Sequence, residues 1–382
     1  MKLQFKETPE QLELIAQMGD RNREVAYAAQ EAFANLLAPI VGQVYNQADT
    51  TKLLYTDLSF RQDSDPTFPL EIFTDVHEGY FTIWSQAMPG GLPTNTVHQP
   101  IEEIRFQIYK LDSAISYLAK YARQTRLPVI ARATERLLQE VLVKTQHNAW
   151  AVIFAALAQA THNGRGHVFS SLTNGVFSLD DYNKLLTFFR RLNKSWVGGT
   201  PVGGAARPTD IVVSPELMEK FRAMAYNPIN TKGANGTTPT GSATGIPLPE
   251  AERQKVFSSA GVPEFFGINI IELLELGANQ PYNKLFKTYI GGATLPYVDA
   301  NQSGSTTVFD GATDDLALVV DASRDFAYRA IQTDSETGSV FTLQPDDQFV
   351  QRTGKIGFYG AIEEGRMVTD TRGLAGLVIP AA

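Results

Sequence analysis

The chain has 382 residues, 43% of them hydrophobic and 19% charged, enough for two or three modules with a sizeable core, and its 30 Gly and 20 Pro predict many turns. It has no cysteine, which excludes disulfides, thiol nucleophiles and thiolate metal sites. A net charge of −8 and a pI near 5.3 run against the basic surplus of a sequence-specific nucleic-acid binder.

The opening stretch MKLQFKETPEQLELIAQ has no apolar signal-peptide core. The longest apolar run, Ala149–Ala160, falls short of the roughly 20 residues that cross a bilayer. A soluble, intracellularly synthesised chain without membrane contact is expected.

Thr8-Pro9-Glu10-Gln11 predicts a helix start, with Pro9 at the first helical position and Gln11 closing a capping box. Gly19 is expected to interrupt that helix. A second stretch spaces Val25, Ala29, Phe33, Leu36, Leu37 and Ile40 as one helical stripe, which Pro39 is expected to kink or end. With few partners nearby in sequence, the stripe reads as an arm that packs on something else.

YFTIWSQAM (80–88) and IEEIRFQIYKL (101–111) flank the turn-rich PGGLPTNTVHQP. Ile104, Phe106 and Ile108 alternate with Arg105, Gln107 and Tyr109, the period of a strand. A hairpin projecting from the body is predicted, and because isolated two-stranded hairpins are marginal in water, its remaining contacts are expected on another molecule.

Pro128 to Ala160 reads as one helix, a rod of roughly 50 Å at 1.5 Å per residue, with Asn163-Gly164 as its stop. Its first half is amphipathic; from Ala149 no charge appears, which predicts burial nearly all round. No heptad repeat is sustained, so a coiled coil is not expected.

Beyond the rod, Ser178 and Asp181 predict a capping box for a helix through Phe189. Ile211 to Val213 reads as a buried strand entering a helix capped by Ser214, with Pro215 first and Glu216 complementing the dipole. Residues 198–206 and 228–249 are Gly-, Pro- and Thr-rich loops. INIIEL, LALVVDA, FAYRAI, SVFTL, KIGFYGAI and GLVI read as strands.

Chemistry is sparse. The histidines His77, His98, His147, His162 and His167 are scattered, and the pair His162/His167 lacks metal-site spacing, so a surface or capping role is preferred. GTTPTGSATG lacks the lysine of a phosphate-binding loop. Ser214 is better explained as a cap than a nucleophile, and the adjacent carboxylates Asp314-Asp315 and Glu363-Glu364 point apart on strands. Trp84, Trp150 and Trp196 suit cores as well as interfaces. No catalytic, cofactor or metal residue is nominated; an arm, a hairpin, a long helix and a looped module describe a building block, not an enzyme.

That order of parts resembles the major capsid proteins of tailed bacteriophages, the Hong Kong 97 fold. The local likenesses are VVSPELM (212–218) and FFGINII (265–271), and the likeness of layout covers nearly the whole chain. The resemblance implies an α+β fold: an N-terminal arm (1–79), an E-loop β-hairpin (80–118), a peripheral domain with a long spine helix (119–165), an axial domain (166–325) and peripheral C-terminal strands (326–382). It implies hexamers and pentamers of one chain, forming the icosahedral shell of a virion around double-stranded DNA held without sequence-specific binding. A separate scaffolding protein and a portal are implied, and a decoration protein is admitted.

Subunit-interface residues implied for the E-loop are Trp84, Met88, Pro89, Gly90, Gly91, Leu92, Ile104 and Phe106, and for the arm Phe33, Leu36, Leu37 and Ile40. Some family members crosslink through an E-loop lysine; Tyr80 to Tyr109 contains none, so no such crosslink is expected. Three alternatives stand beside this reading: a prokaryotic encapsulin-like nanocompartment shell, a tail or baseplate protein, and, in another class, a hydrolase using Asp180, Asp181 and His167.

Overall fold

A computed structural model describes residues 9–20, 22–48, 50–52, 54–61, 64, 66–69, 103–124, 127–162, 165–192, 208–226, 254, 263–298, 307–323, 326–333, 339–346 and 354–381. In chain order these hold α1 (Pro9–Met18), α2 (Arg23–Ala48), β1 (Thr56–Arg61), β2 (Thr67–Pro69), β3 (Glu103–Arg105), β4 (Tyr109–Leu118), α3 (Ala119–Arg123) and α4 (Leu127–Gln159). Then come β5 (Thr161–His162), β6 (Arg165–Gly166), β7 (Val168–Ser170), α5 (Leu179–Leu192), β8 (Asp210–Val213), α6 (Pro215–Tyr226), β9 (Glu264–Phe265), β10 (Ile268–Glu272) and α7 (Pro281–Ile290). The chain ends with β11 (Asp315–Val320), β12 (Ala327–Thr333), β13 (Thr342–Asp346), β14 (Lys355–Val368), a 3-10 turn (Thr371–Gly373) and β15 (Leu374–Ile379).

The fold is α+β, and it forms two units. Unit 1 comprises Met1–Leu70, Glu102–Ala149 and Ala327–Met367; unit 2 comprises Glu71–Ile101, Trp150–Phe326 and Val368–Ala382.

Unit 1 is built on a sheet in the order β1-β12-β14-β13, with β4 also along β14. β4 and β14 are antiparallel over ten residue pairs, from Lys355↔Leu118 to Glu364↔Tyr109. One face carries Ile115, Tyr117, Leu343, Phe358 and Ile362, and it is covered by Phe33 and Leu37 of α2 and Leu137 of α4. Phe33 and Phe358 pack with ring centroids 5.8 Å apart. Burying Phe33 and Leu37 stabilises unit 1 by about 2 kcal/mol each, which is why the helical stripe folds back onto its own sheet.

Gly19 ends α1 as the sequence predicts, and close approach is the reason: a Cβ there would lie 2.6 Å from Arg123 Cγ. Arg123 Nε also donates to the Gly19 carbonyl at 2.6 Å.

Pro39 neither ends nor splits α2, which continues to Ala48. A proline inside a helix forfeits one backbone hydrogen bond, and such a position costs about 3 kcal/mol. Burial of Phe33, Ala34, Leu37 and Ala38 just before it offsets that cost.

Unit 2 is built on a six-stranded sheet in the order β7-β15-β11-β8-β10-β9. Every residue of β8, β11 and β15 is buried, as unbroken apolar runs require when both faces of a sheet are covered. Ile211, Val213, Ala317, Val319 and Leu377 face Tyr182, Leu185 and Phe189 of α5 and Leu217 and Phe221 of α6. Gly376 alternates to the opposite face, where Leu157 of α4 approaches. Trp150 and Phe154 of α4 pack against Tyr282 and Phe286 of α7 with tilted rings, centroids 5.8 to 6.2 Å apart.

The long helix runs for 33 residues, one position earlier than the sequence reading at each end. Its charge-free stretch is not buried all round. Ala149, Trp150, Ile153, Phe154 and Leu157 are buried, whereas Ala151, Val152, Ala155 and Ala156 are half-buried. One stripe at helical spacing meets the core, and small residues tolerate the other side.

The strands predicted after residue 326 divide between the units. β12, β13 and most of β14 belong to unit 1, while β15 lies between β11 and β7 in unit 2. An all-apolar strand such as LAGLVI is stable only where both faces are covered, and β15 has that position in unit 2.

Candidate assembly site

β2 and β3 pair antiparallel, Thr67↔Arg105, Phe68↔Ile104 and Pro69↔Glu103, so the two ends of segment 70–102 are held together. Trp84, Met88, Pro89, Gly90, Gly91 and Leu92 lie in that segment, outside the described residues. Ile104 is in β3; its side chain is likewise outside the described residues.

The single strand predicted across 101–111 is two strands. β3 ends at Arg105, and β4 starts at Tyr109. Phe106, between them, is buried in a small core with Ala330, flanked by Leu58, Phe60 and Met367. Gly365 of β14 lies close against this stretch: a Cβ there would lie 3.0 Å from the Gln107 carbonyl oxygen.

Among the arm residues, Phe33 and Leu37 are in the core of unit 1, and Leu36 points outward at 40% exposure. Ile40 is in α2, with its side chain outside the described residues. Val25 and Tyr27 on the same helix are also exposed, at 39% and 40%. A groove of about 540 Å³ runs beside them, lined by Tyr27, Glu31, Lys110, Gln344, Tyr359 and Glu363.

The hydrolase alternative finds no support in geometry. Asp181 is a capping residue: its amide donates to Ser178 Oγ at 3.2 Å while its carboxylate accepts from the Ser178 amide at 3.3 Å and hydroxyl at 2.6 Å. Asp180 pairs with Lys184 one turn on. His167, read from the sequence as a surface or capping residue, is not on the surface. It is fully buried, with Nδ1 2.9 Å from the Leu374 carbonyl and its ring edge-on to Phe188. Ser214 caps α6 through the Leu217 amide and donates to Asp315. Among the described residues no group of three or more His, Asp or Glu is arranged to hold a metal ion, and no helix is long and apolar enough to cross a membrane.

No protein-family model matches the chain, and no curated protein matches it. The chain is similar to solved phage capsids. The capsid structure of the cyanophage P-SCSP1u is 12% identical, with 86% of this chain and 87% of that chain covered at a TM-score of 0.45. The mature capsid of bacteriophage PhiM1 is 12% identical over 85% and 84%, at a TM-score of 0.44. An encapsulin complex from Synechococcus elongatus is also similar, 12% identical over 74% and 77%, at a TM-score of 0.39. Identity this low transfers no residue role.

One constellation escaped the sequence reading. Glu364 and Arg366, two apart on β14, both have fully buried side chains and pair through Arg366 Nη2 and Glu364 Oε2 at 3.1 Å. Tyr109, directly opposite on β4, donates to Glu364 Oε1 at 2.6 Å. Arg366 Nη1 donates to Thr51 Oγ1 at 3.1 Å, and its guanidinium lies over the Tyr55 ring, 4.9 Å from the centroid. Tyr55 donates to the Ala149 carbonyl of α4 at 2.8 Å, and Tyr109 also bonds the Asn148 side chain. Burial, and then the charge of Glu364, push the Tyr109 phenol far above the usual tyrosine range, so it stays a donor. The signal in the sequence is a Glu-x-Arg pair on one face of an otherwise apolar strand.

Proposed function

We propose that this chain is the major capsid protein of a tailed bacteriophage, a structural shell subunit and not an enzyme. In this reading it assembles into hexamers and pentamers of an icosahedral virion shell around double-stranded DNA, with a separate scaffolding protein and portal as partners. The observation that carries the reading is the β2–β3 clamp, which closes an uncharged-tipped, Pro/Gly-rich segment at its base in the same chain as a 33-residue helix. A hairpin so closed has backbone and apolar side chains to offer a neighbour, and weak contacts suffice when repeated around a closed shell. Trp84, Met88, Pro89, Gly90, Gly91, Leu92 and Ile104 are the proposed hairpin contacts, and Leu36 the proposed outward contact of α2.

The test is negative-stain electron microscopy of the expressed full chain beside a size-exclusion trace, with and without a co-expressed candidate scaffolding protein. Rings of five or six subunits, sheets or closed shells are expected. A strictly monomeric protein under both conditions overturns the reading, and particles filled with an enzyme instead of DNA favour a nanocompartment.

A further inference from the structure

We propose that the buried Glu364–Arg366 pair, with Tyr109, Thr51 and Tyr55, is a register lock: it specifies one pairing of β4 with β14 instead of adding stability.

Buried ion pairs are weak sources of stability, because desolvating two charges offsets their attraction. Well-packed apolar replacements are often as stable or more so, and the best-attested use of such groups is to select one register among alternatives. The need for selection is visible in β4. Its sequence YKLDSAISYL buries mainly its C-terminal end, and Lys110, Asp112, Ala114 and Ser116 are exposed. Leu111, Ile115 and Tyr117 alternate with these and turn inward, which fixes the face of β4 but not which of the pairings two residues apart it takes.

The network removes that freedom. A one-residue slip turns Tyr109 to the opposite face from Glu364, leaving a buried carboxylate without its phenol donor. A two-residue slip keeps the face but carries Tyr109 away from Glu364, which keeps Arg366 on its own strand and loses its charge-assisted bond from the phenol. The lock also reaches beyond the ladder. Arg366 binds Thr51 in the turn before β1, and Tyr55 and Tyr109 bind α4 at Ala149 and Asn148. Since only Phe106 to Ile108 separate β3 from β4, the register of β4 also determines which residues close the base of segment 70–102.

The test uses the full chain and its triple variant Tyr109→Phe/Glu364→Leu/Arg366→Met, which replaces the polar groups with apolar ones of similar size. Urea unfolding and amide hydrogen exchange of Tyr109–Leu118 by mass spectrometry are measured together. The expected result is an unfolding midpoint at or above that of wild type, with β4 peptides splitting into two isotopic envelopes, one exchanging about tenfold faster. Tyr109→Phe alone, which removes one donor and keeps the ring, is expected to fold and to show a smaller second envelope. A lowered midpoint or failure of the triple variant to fold overturns the proposal, since the pair is then a source of stability. A single wild-type envelope in both variants overturns it equally, since the register then needs no lock.

Discussion

Arg329 holds Asp57 at two points across the parallel ladder of β12 and β1, Nε to Oδ1 at 2.7 Å and Nη2 to Oδ2 at 2.6 Å, the two residues being direct partners in register. The arginine side chain is 2% exposed and the aspartate 40%. A planar guanidinium matched to a carboxylate gives direction as well as attraction. Asp57→Asn should lose about 2 kcal/mol, because a buried cation is left facing a neutral amide while water still reaches that side. A urea midpoint indistinguishable from wild type would show that the pair is dispensable.

Gly360 sits mid-strand in β14 because the ring of Phe341 occupies the space a Cβ would need. Gly360→Ala should destabilise unit 1 by about 1–3 kcal/mol through overpacking. Phe341→Leu in the same chain should recover part of that loss, and thermal unfolding of the single and double variants reads both. An equal loss in the double variant would place the cause elsewhere.

Asp315 titrates above the usual carboxylate range, chiefly because burial penalises its charge, with hydrogen bonds from Ser214 and the Leu316 amide pulling the other way. A raised folded-state value means that the native protein holds this proton to higher pH than the unfolded chain does. Asp315 therefore costs stability as pH rises from the ordinary carboxylate value to its own raised one, and the cost persists above it. Asp315→Asn removes that titration but leaves one acceptor where the carboxylate had two, for Ser214 Oγ at 2.9 Å and Leu316 N at 3.0 Å. In acid the variant should be less stable by about 1 kcal/mol, and the gap should narrow towards neutral pH. A gap that widens with pH would reverse the sign and refute the assignment.

The segment from Tyr80 to Tyr109 contains no lysine. If the proposed shell forms, its subunits should therefore separate on boiling in detergent into one band near 42.0 kDa. A ladder of higher-mass bands that survives denaturation would show a covalent bond made by another residue, and peptide mapping would locate it.

Much of this architecture is legible in the chain. Ser178 with Asp181, Ser214 with Pro215, and Gly19 mark helix ends by chemistry that acts within a few residues, and all three act where the spacing predicts. The 33-residue helix, β8 and the strands from β10 to β15 follow from the apolar pattern, because burial repeats with the geometry of the element itself.

What the tertiary structure decided is which distant surfaces meet. Phe33 and Leu37 read as a stripe in search of a partner, and only the fold shows that the partner is Phe358 and its neighbours. Helix α2 runs through Pro39 because burial outweighs a local backbone penalty, a comparison no window of sequence contains. The Tyr109–Glu364–Arg366–Thr51 network joins residues up to 315 positions apart, so no spacing rule reaches it. Local chemistry sets where elements begin and end, whereas desolvation and long-range packing depend on neighbours that the chain supplies only once it has folded.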